Sequence, residues 1–123
     1  MIKRSLDRCL YIDMDGVAAD FDGQIVRMYG KTFDELGQEF KTNQFWHKDF
    51  TPEFFSILQP NPLLTELIGV GLEKFQGNVR FLTALPQARK DLAGPCMHTK
   101  NRWGRVHADG IPVTFGPYAI DKQ

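Results

Sequence analysis

Two aspartates, two residues apart, directly follow an apolar segment near the start of the chain. The segment at residues 9–12 leads into Asp13 and Asp15, and Gly16 comes next. In an extended chain the side chains at i and i+2 point to the same side, so we expect both carboxylates together where a buried strand ends. Crowded carboxylates repel each other unless a cation or a proton separates their charges. The pair therefore predicts a chemical site, with a helix N-cap and a turn aspartate as the simpler alternative.

Two further polar residues follow apolar segments later in the chain. Thr83 ends the segment at residues 79–83, and Lys122 comes after the segment at residues 111–115. Parallel strands place their carboxyl ends at one edge of a sheet, where α/β proteins bind their ligands. Each residue also has a plainer interpretation, Thr83 as an ordinary strand threonine and Lys122 as a solvated lysine.

Together these four side chains suit the transfer of a phosphoryl group through an aspartyl-phosphate. Asp13 would be the nucleophile, and Asp15 would protonate the leaving oxygen and then deprotonate water. Thr83 would donate a hydrogen bond to a phosphoryl oxygen, while Lys122 would supply a fixed positive charge. Mg²⁺ is the expected cofactor, held by Asp13 and Asp15, because it prefers oxygen ligands and retains several waters.

The order of elements predicts an α/β fold with a parallel sheet. Strands are predicted over residues 9–13, 79–83 and 111–115, helices over 21–29, 64–75 and 99–108, and a loop over 84–97. The first strand is continuously apolar, which is typical of a parallel sheet covered on both faces.

The predicted helices differ in how clearly their buried faces can be read. The helix at residues 64–75 presents its apolar residues at helical spacing, with Leu72 among them. In the helix at residues 99–108, Trp103 and Val106 are expected to face inward. The basic residues of that helix are expected on a solvated face: Lys100, Arg102 and Arg105.

Composition places the chain among ordinary globular domains. It has 123 residues, 42% of them hydrophobic and 24% charged, and its formal net charge is zero. No overall charge favours a nucleic-acid or membrane partner. The N-terminus has no apolar core of a secretory signal, and Cys9 and Cys96 lack metal-ligand spacing. A cytoplasmic location is therefore expected.

The chain resembles the haloacid dehalogenase superfamily of phosphohydrolases. Asp-Met-Asp-Gly-Val (13–17) is similar to its first motif, Phe-Leu-Thr (81–83) to its second, and Asp-Lys (121–122) to its lysine motif. The closer resemblance is to the 5'(3')-deoxyribonucleotidases, through residues 13–21, 54–62 and 82–86. It implies a three-layer Rossmann-like core, formed by residues 1–21 and 63–123, and a small helical cap at residues 22–62.

The resemblance also implies a substrate. Family members dephosphorylate nucleoside monophosphates, so the expected partner is that small molecule, with no nucleic-acid polymer and no membrane; a homodimer is compatible with it. Phe21 would line the base pocket, and Trp46 would form a second wall. A packed aromatic core is the alternative for the aromatic residues at 40–55. Ala84 stands where relatives often carry serine, so a backbone N–H would serve there.

One departure from the family leaves other functions open. The family has a fourth, acidic motif that binds Mg²⁺, and this sequence ends at Gln123 before one occurs. We therefore expect a truncated chain. A catalytically incomplete relative that binds a phosphate ligand or a partner is the main alternative. A receiver-type phosphoacceptor domain is less favoured because the later predicted strands do not end in aspartate. An EF-hand is excluded because Gly16 is misplaced for its loop.

Overall fold

The computed structural model describes residues 8–116 and has three parallel strands at its centre. The strands are β1 (Leu10–Asp13), β2 (Val79–Ala84) and β3 (Val113–Gly116), paired in the order β1-β2-β3. Ile12 pairs with Phe81, and Phe81 with Val113, so the three strands are in register across the sheet. The predicted α/β fold with a parallel sheet is confirmed.

Helices make up most of the remaining described chain. The α-helices are α1 (Phe21–Tyr29), α2 (Gln38–Phe40), α3 (Glu53–Ser56), α4 (Leu64–Lys74) and α5 (Ala93–His107). Two 3₁₀-helices cover Asp34–Leu36 and Gln87–Leu92, and a π-helix covers Lys41–Asp49. Across residues 8–116 no helix combines the length and the apolar character that crossing a membrane requires.

Local sequence signals explain where α1 begins and ends. The Asp20 carboxylate accepts a hydrogen bond from the Gly23 amide at 3.0 Å and so caps the first turn. Gly30 follows the helix with a φ of 77°, a left-handed conformation that glycine adopts without strain. A reciprocal capping box comes next, in which the Thr32 amide donates to the Glu35 carboxylate and the Glu35 amide donates to the Thr32 hydroxyl.

Helices α4 and α5 pack on the same face of the sheet. Gly71 of α4 lies directly against Val79, and Gly104 of α5 lies against Val113 and Phe81. These strand side chains point to one side because their positions alternate with outward ones. Tyr11, on the opposite face, is 53% exposed, so the prediction of a first strand buried on both faces is wrong.

The segment between α1 and α3 packs through edge-to-face aromatic contacts. We call the following residues the aromatic cluster: Phe21, Tyr29, Phe33, Phe45, Trp46, Phe50 and Phe54. Phe45, in the π-helix, lies at its centre with its side chain fully buried. The alternative that these aromatic residues form a packed core is therefore confirmed for most of them.

Helix α5 differs most from its prediction. It begins at Ala93 rather than at residue 99, and the 3₁₀-helix Gln87–Leu92 precedes it, so most of the predicted loop is helical. Val106 is 68% exposed, and Leu72 of α4 is also exposed, so neither faces inward as predicted. The largest change concerns Lys100, which was expected on a solvated face and is buried.

Candidate functional site

A tight loop after β1 positions the two aspartates. The Asp13 carbonyl accepts from the Ala18 amide at 3.0 Å, and the Met14 carbonyl accepts from the Ala19 amide at 2.7 Å. Gly16 has a φ of 95°, which an L side chain rarely adopts, and this allows the chain to reverse. Asp13 is exposed at the tip of the strand, while Asp15 is half-buried within the loop.

Lys100 of α5 reaches the carboxyl ends of β1 and β2 from beneath. Its side chain is 1% exposed, and its Nζ donates to Asp15 Oδ2 at 2.8 Å, Thr83 Oγ1 at 2.6 Å and the Ala84 carbonyl at 2.9 Å. An ammonium group has three protons to donate, so these acceptors use all of them. We call Asp15, Thr83 and Lys100 the polar cluster.

The polar cluster is nearly satisfied within itself. Thr83 is buried, and its hydroxyl lies 3.2 Å from Asp15 Oδ2, the same oxygen that contacts Lys100. The other carboxylate oxygen, Asp15 Oδ1, is buried and has no hydrogen-bond partner within the described residues. A buried polar atom of this kind is costly and often marks a site for a ligand or for chemistry.

Apolar side chains surround the polar cluster. A crevice next to it is lined by Met14, Ala19, Phe55, Leu58 and Trp103, together with Asp15 and Lys100. The face of the Phe55 ring lies 4.2 Å from Lys100 Nζ. Electrostatic interactions are stronger in such low-dielectric surroundings than at an exposed surface, so the charge of Lys100 acts strongly here.

The structure joins two of the four predicted catalytic residues. Asp15 and Thr83 lie in one hydrogen-bonded cluster, as their positions at neighbouring strand ends predicted. Asp13 lies at the end of β1, as predicted. Lys122 lies outside the described residues, and the cation found beside Asp15 is Lys100.

Sequence reasoning missed Lys100 because it stands among basic residues. A signal was present, since Lys100 follows the buried Cys96 by four residues and precedes the buried Trp103 by three. That spacing puts all three side chains on one face of a helix. A lysine on an apolar helix face indicates a partner carboxylate supplied by another element.

Cys96, on the same helix face as Lys100, is buried. Burial raises the pKa of its thiol, which keeps the thiol protonated and uncharged.

The predicted substrate-binding residues lie in two places. Ala84 is in the polar cluster's immediate surroundings, where its carbonyl accepts a hydrogen bond from Lys100. Phe21 is part of the aromatic cluster, with its ring edge-on to Phe33 and Phe54. Trp46 is half-buried, so part of its ring faces solvent while the rest packs on Phe45.

An arginine connects the π-helix to the segment after β2. Arg89 donates to the Trp46 carbonyl at 2.9 Å and forms a two-point ion pair with Asp91 at 3.0 and 2.9 Å. The hydrogen bond from Arg89 lowers the pKa of the Asp91 carboxyl group. This contact fixes the backbone of Trp46 relative to the strand end that carries Thr83.

The sequence prediction assigns a divalent cation to Asp13 and Asp15. Within residues 8–116 no three histidine, cysteine or acidic side chains come together as a metal-binding group. The exposed Asp13 carboxylate and the backbone carbonyl of Asp15 are hard oxygen donors of the kind that Mg²⁺ accepts, which leaves the Asp15 side chain for proton transfer. The residues therefore fit a cation that keeps most of its ligands as water or substrate oxygens.

Comparison with known proteins adds no relative. No protein-family model, no curated protein and no solved structure matches this chain.

Proposed function

We propose that this chain is a phosphomonoesterase of the haloacid dehalogenase type that acts with Mg²⁺ on nucleoside monophosphates. The observation that carries the proposal is the buried Lys100 ammonium, which is hydrogen-bonded to Asp15 and Thr83 at the carboxyl ends of two parallel strands. A buried cation beside a hydroxyl donor is suited to bind a phosphoryl group. The three-layer Rossmann-like core and the helical cap at residues 22–62 belong to this proposal.

In the first step, a carboxylate oxygen of Asp13 attacks the phosphorus atom. The bond from phosphorus to the ester oxygen breaks, and the leaving oxygen takes a proton from Asp15. Lys100 contacts Asp15 in the protein without substrate. A bound phosphate dianion competes for the same ammonium, and Asp15 can then hold the proton that the leaving group needs.

In the second step, water hydrolyses the aspartyl-phosphate. Asp15, now ionised, accepts a proton from the water, whose oxygen forms a new bond to phosphorus. The bond between phosphorus and the Asp13 oxygen breaks, which restores the carboxylate and releases inorganic phosphate. Thr83 and Lys100 stabilise the charge on the phosphoryl oxygens in both steps. When bound by Asp13 and Asp15, Mg²⁺ supplies additional positive charge to the same oxygens.

The aromatic cluster supports a nucleotide as the substrate. Trp46 exposes part of its ring, and Arg89 ties its backbone to the segment that follows Thr83. A partly exposed aromatic ring can stack on a nucleobase, and the proposal requires the Trp46 ring to face the phosphate site. Phe21 contributes through packing behind this surface, since its ring contacts Phe33 and Phe54.

The test is phosphate release from a panel of nucleoside monophosphates with and without Mg²⁺. The wild-type chain should release phosphate only with the metal. Asp13→Asn should lower kcat by several orders of magnitude because an amide is a poor nucleophile, while circular dichroism should show an unchanged fold. Turnover by Asp13→Asn equal to that of the wild type would exclude Asp13 as the nucleophile.

A second candidate is a relative that binds phosphate ligands without turnover. The observation that favours it is the lack of a third acidic ligand near Asp13 and Asp15 in the part of the chain that the structure describes. In this case nucleoside monophosphates would raise the melting temperature of the wild type, but no phosphate would be released at any Mg²⁺ concentration.

A further inference from the structure

Helix α3 brings an aromatic ring onto the buried cation of the site. The Phe55 ring is 4% exposed, and its centroid lies 4.2 Å from Lys100 Nζ. An ammonium at this distance from the face of a ring is attracted by the negative potential of the ring. The same ammonium donates its three hydrogen bonds to Asp15, Thr83 and the Ala84 carbonyl.

Two contacts hold the segment around α3 against α5, the helix that carries Lys100. Trp103 lies one turn after Lys100, and its indole N–H donates to the Leu58 carbonyl at 2.8 Å. Phe55 and Leu58 both line the crevice beside the polar cluster. Residues from outside the sheet therefore set the position of Lys100 relative to the carboxyl ends of β1 and β2.

We infer that Phe55 is the positioning residue for Lys100: its ring excludes water from the ammonium and holds it beneath Asp15 and Thr83. Without the ring, water would compete with these acceptors for the protons of the ammonium. The long lysine side chain would then sample several positions, and less of its charge would face a bound phosphate. The inference deepens the proposed function, in which Lys100 binds the phosphoryl group.

The chain offers a matched control in the neighbouring residue. Phe54 is 5% exposed and belongs to the same helix, and its ring packs among other aromatic rings, with Phe55 as one neighbour, but has no contact with Lys100 among the ring and cation contacts of the described residues. Phe54→Leu and Phe55→Leu remove the same number of atoms from equally buried positions. They should cost similar stability, and only the second should disturb the ammonium.

The first measurement does not depend on activity. In protein labelled with ¹⁵N-lysine, the Lys100 ammonium should give a signal protected from exchange with water, assigned by its loss in Lys100→Met. Exchange should be at least tenfold faster in Phe55→Leu and unchanged in Phe54→Leu. An equal effect of both variants, or no protected Lys100 signal in the wild type, would overturn the inference.

The second measurement uses inorganic phosphate as an inhibitor and a nucleoside monophosphate as substrate. Phe55→Leu should raise the inhibition constant for phosphate and lower kcat/KM about tenfold, and Phe55→Tyr should restore both because it keeps the ring. If either leucine variant fails to fold, 3,5-difluorophenylalanine at position 55 and at position 54 replaces the pair. Fluorine weakens the ring face while preserving shape, so only position 55 should show faster exchange.

The outcomes separate this inference from the proposed function. A wild-type chain that releases no phosphate contradicts the proposed function, and the exchange measurement still tests Phe55. A wild-type chain that is active and unaffected by Phe55→Leu in both measurements contradicts the inference alone.

Discussion

The polar cluster and the aromatic cluster lie on the two sides of helix α3, and they are built on opposite principles. In the polar cluster Lys100 has one acceptor for each of its protons, and each acceptor comes from a different residue. In the aromatic cluster Phe45 touches many rings at edge-to-face angles, including Phe21, Phe33 and Trp46. The polar cluster therefore depends on every one of its hydrogen bonds, whereas the stability of the aromatic cluster is distributed over many ring contacts.

Removing the cation of the polar cluster should have the largest effect. Lys100→Met keeps most of the side-chain volume but leaves the half-buried Asp15 carboxylate without its cation. Breaking a fully buried pair typically costs about 3–5 kcal/mol, and the partial exposure of Asp15 should reduce the cost here. We expect urea denaturation to show this loss. In the proposed function, kcat/KM for phosphate release should also fall by at least about a hundredfold, the scale of one lost donor to a developing charge.

A double variant distinguishes the charge from the packing. Asp15→Asn with Lys100→Met removes both charges, so stability should recover most of what Lys100→Met lost, while phosphate release in the proposed function should stay as low as in Lys100→Met or fall further. If the double variant were as unstable as Lys100→Met alone, the cost would come from the shape of the site rather than from an unpaired carboxylate.

How well each region could be predicted from the sequence depends on whether its contacts join residues that are close or distant in the chain. The strands and α1 show their patterns in neighbouring residues, and each was predicted within a few residues. The polar cluster depends on α5, whose start was placed six residues too late because Gly94 and Pro95 suggested a loop. Pro95 fits the first turn of a helix, where its missing N–H has no partner to lose.

The exposure of Tyr11 and the burial of Lys100 have the same cause. When only the local pattern is considered, a continuously apolar strand is predicted to be buried on both faces, and a basic helix face is predicted to be exposed to solvent. Within residues 8–116, α4 and α5 pack closely on one face of the sheet, which leaves Tyr11 exposed on the other and places Lys100 at the strand ends. The exposure of both residues is determined by how the helices pack on the sheet, and the local sequence pattern carries no information on that packing.

Variants of two neighbouring residues of the π-helix should distinguish an effect on stability from an effect on nucleotide binding. Phe45→Ala removes the fully buried centre of the aromatic cluster and should cost about 3–5 kcal/mol of unfolding free energy. Trp46→Ala removes a half-buried ring and should cost less. In the proposed function Trp46→Ala should instead raise KM for nucleotides more than it lowers kcat. An unchanged KM would remove Trp46 from the substrate pocket.

The smallest effect is expected at the polar rim of the aromatic cluster, where Tyr29 donates a hydrogen bond to Asp49 at 2.6 Å. Burial, and then the hydrogen bond and the negative charge of Asp49, raise the pKa of Tyr29 above its usual value. The folded chain therefore holds the phenol proton more tightly than the unfolded chain. Its contribution to stability is complete below the ordinary tyrosine pKa of about 10 and is lost as pH rises through the folded value.

Tyr29→Phe tests this titration directly. Near neutral pH the variant should be less stable by about 1 kcal/mol, the usual net value of one hydrogen bond. In urea denaturation at pH 9 and pH 11, the wild type should lose more stability between the two values than Tyr29→Phe does, because only the wild type must ionise this phenol on unfolding. Equal losses would show that Tyr29 does not titrate differently in the folded chain. In that case the hydrogen bond between Tyr29 and Asp49 would add no pH-dependent stability to the aromatic cluster.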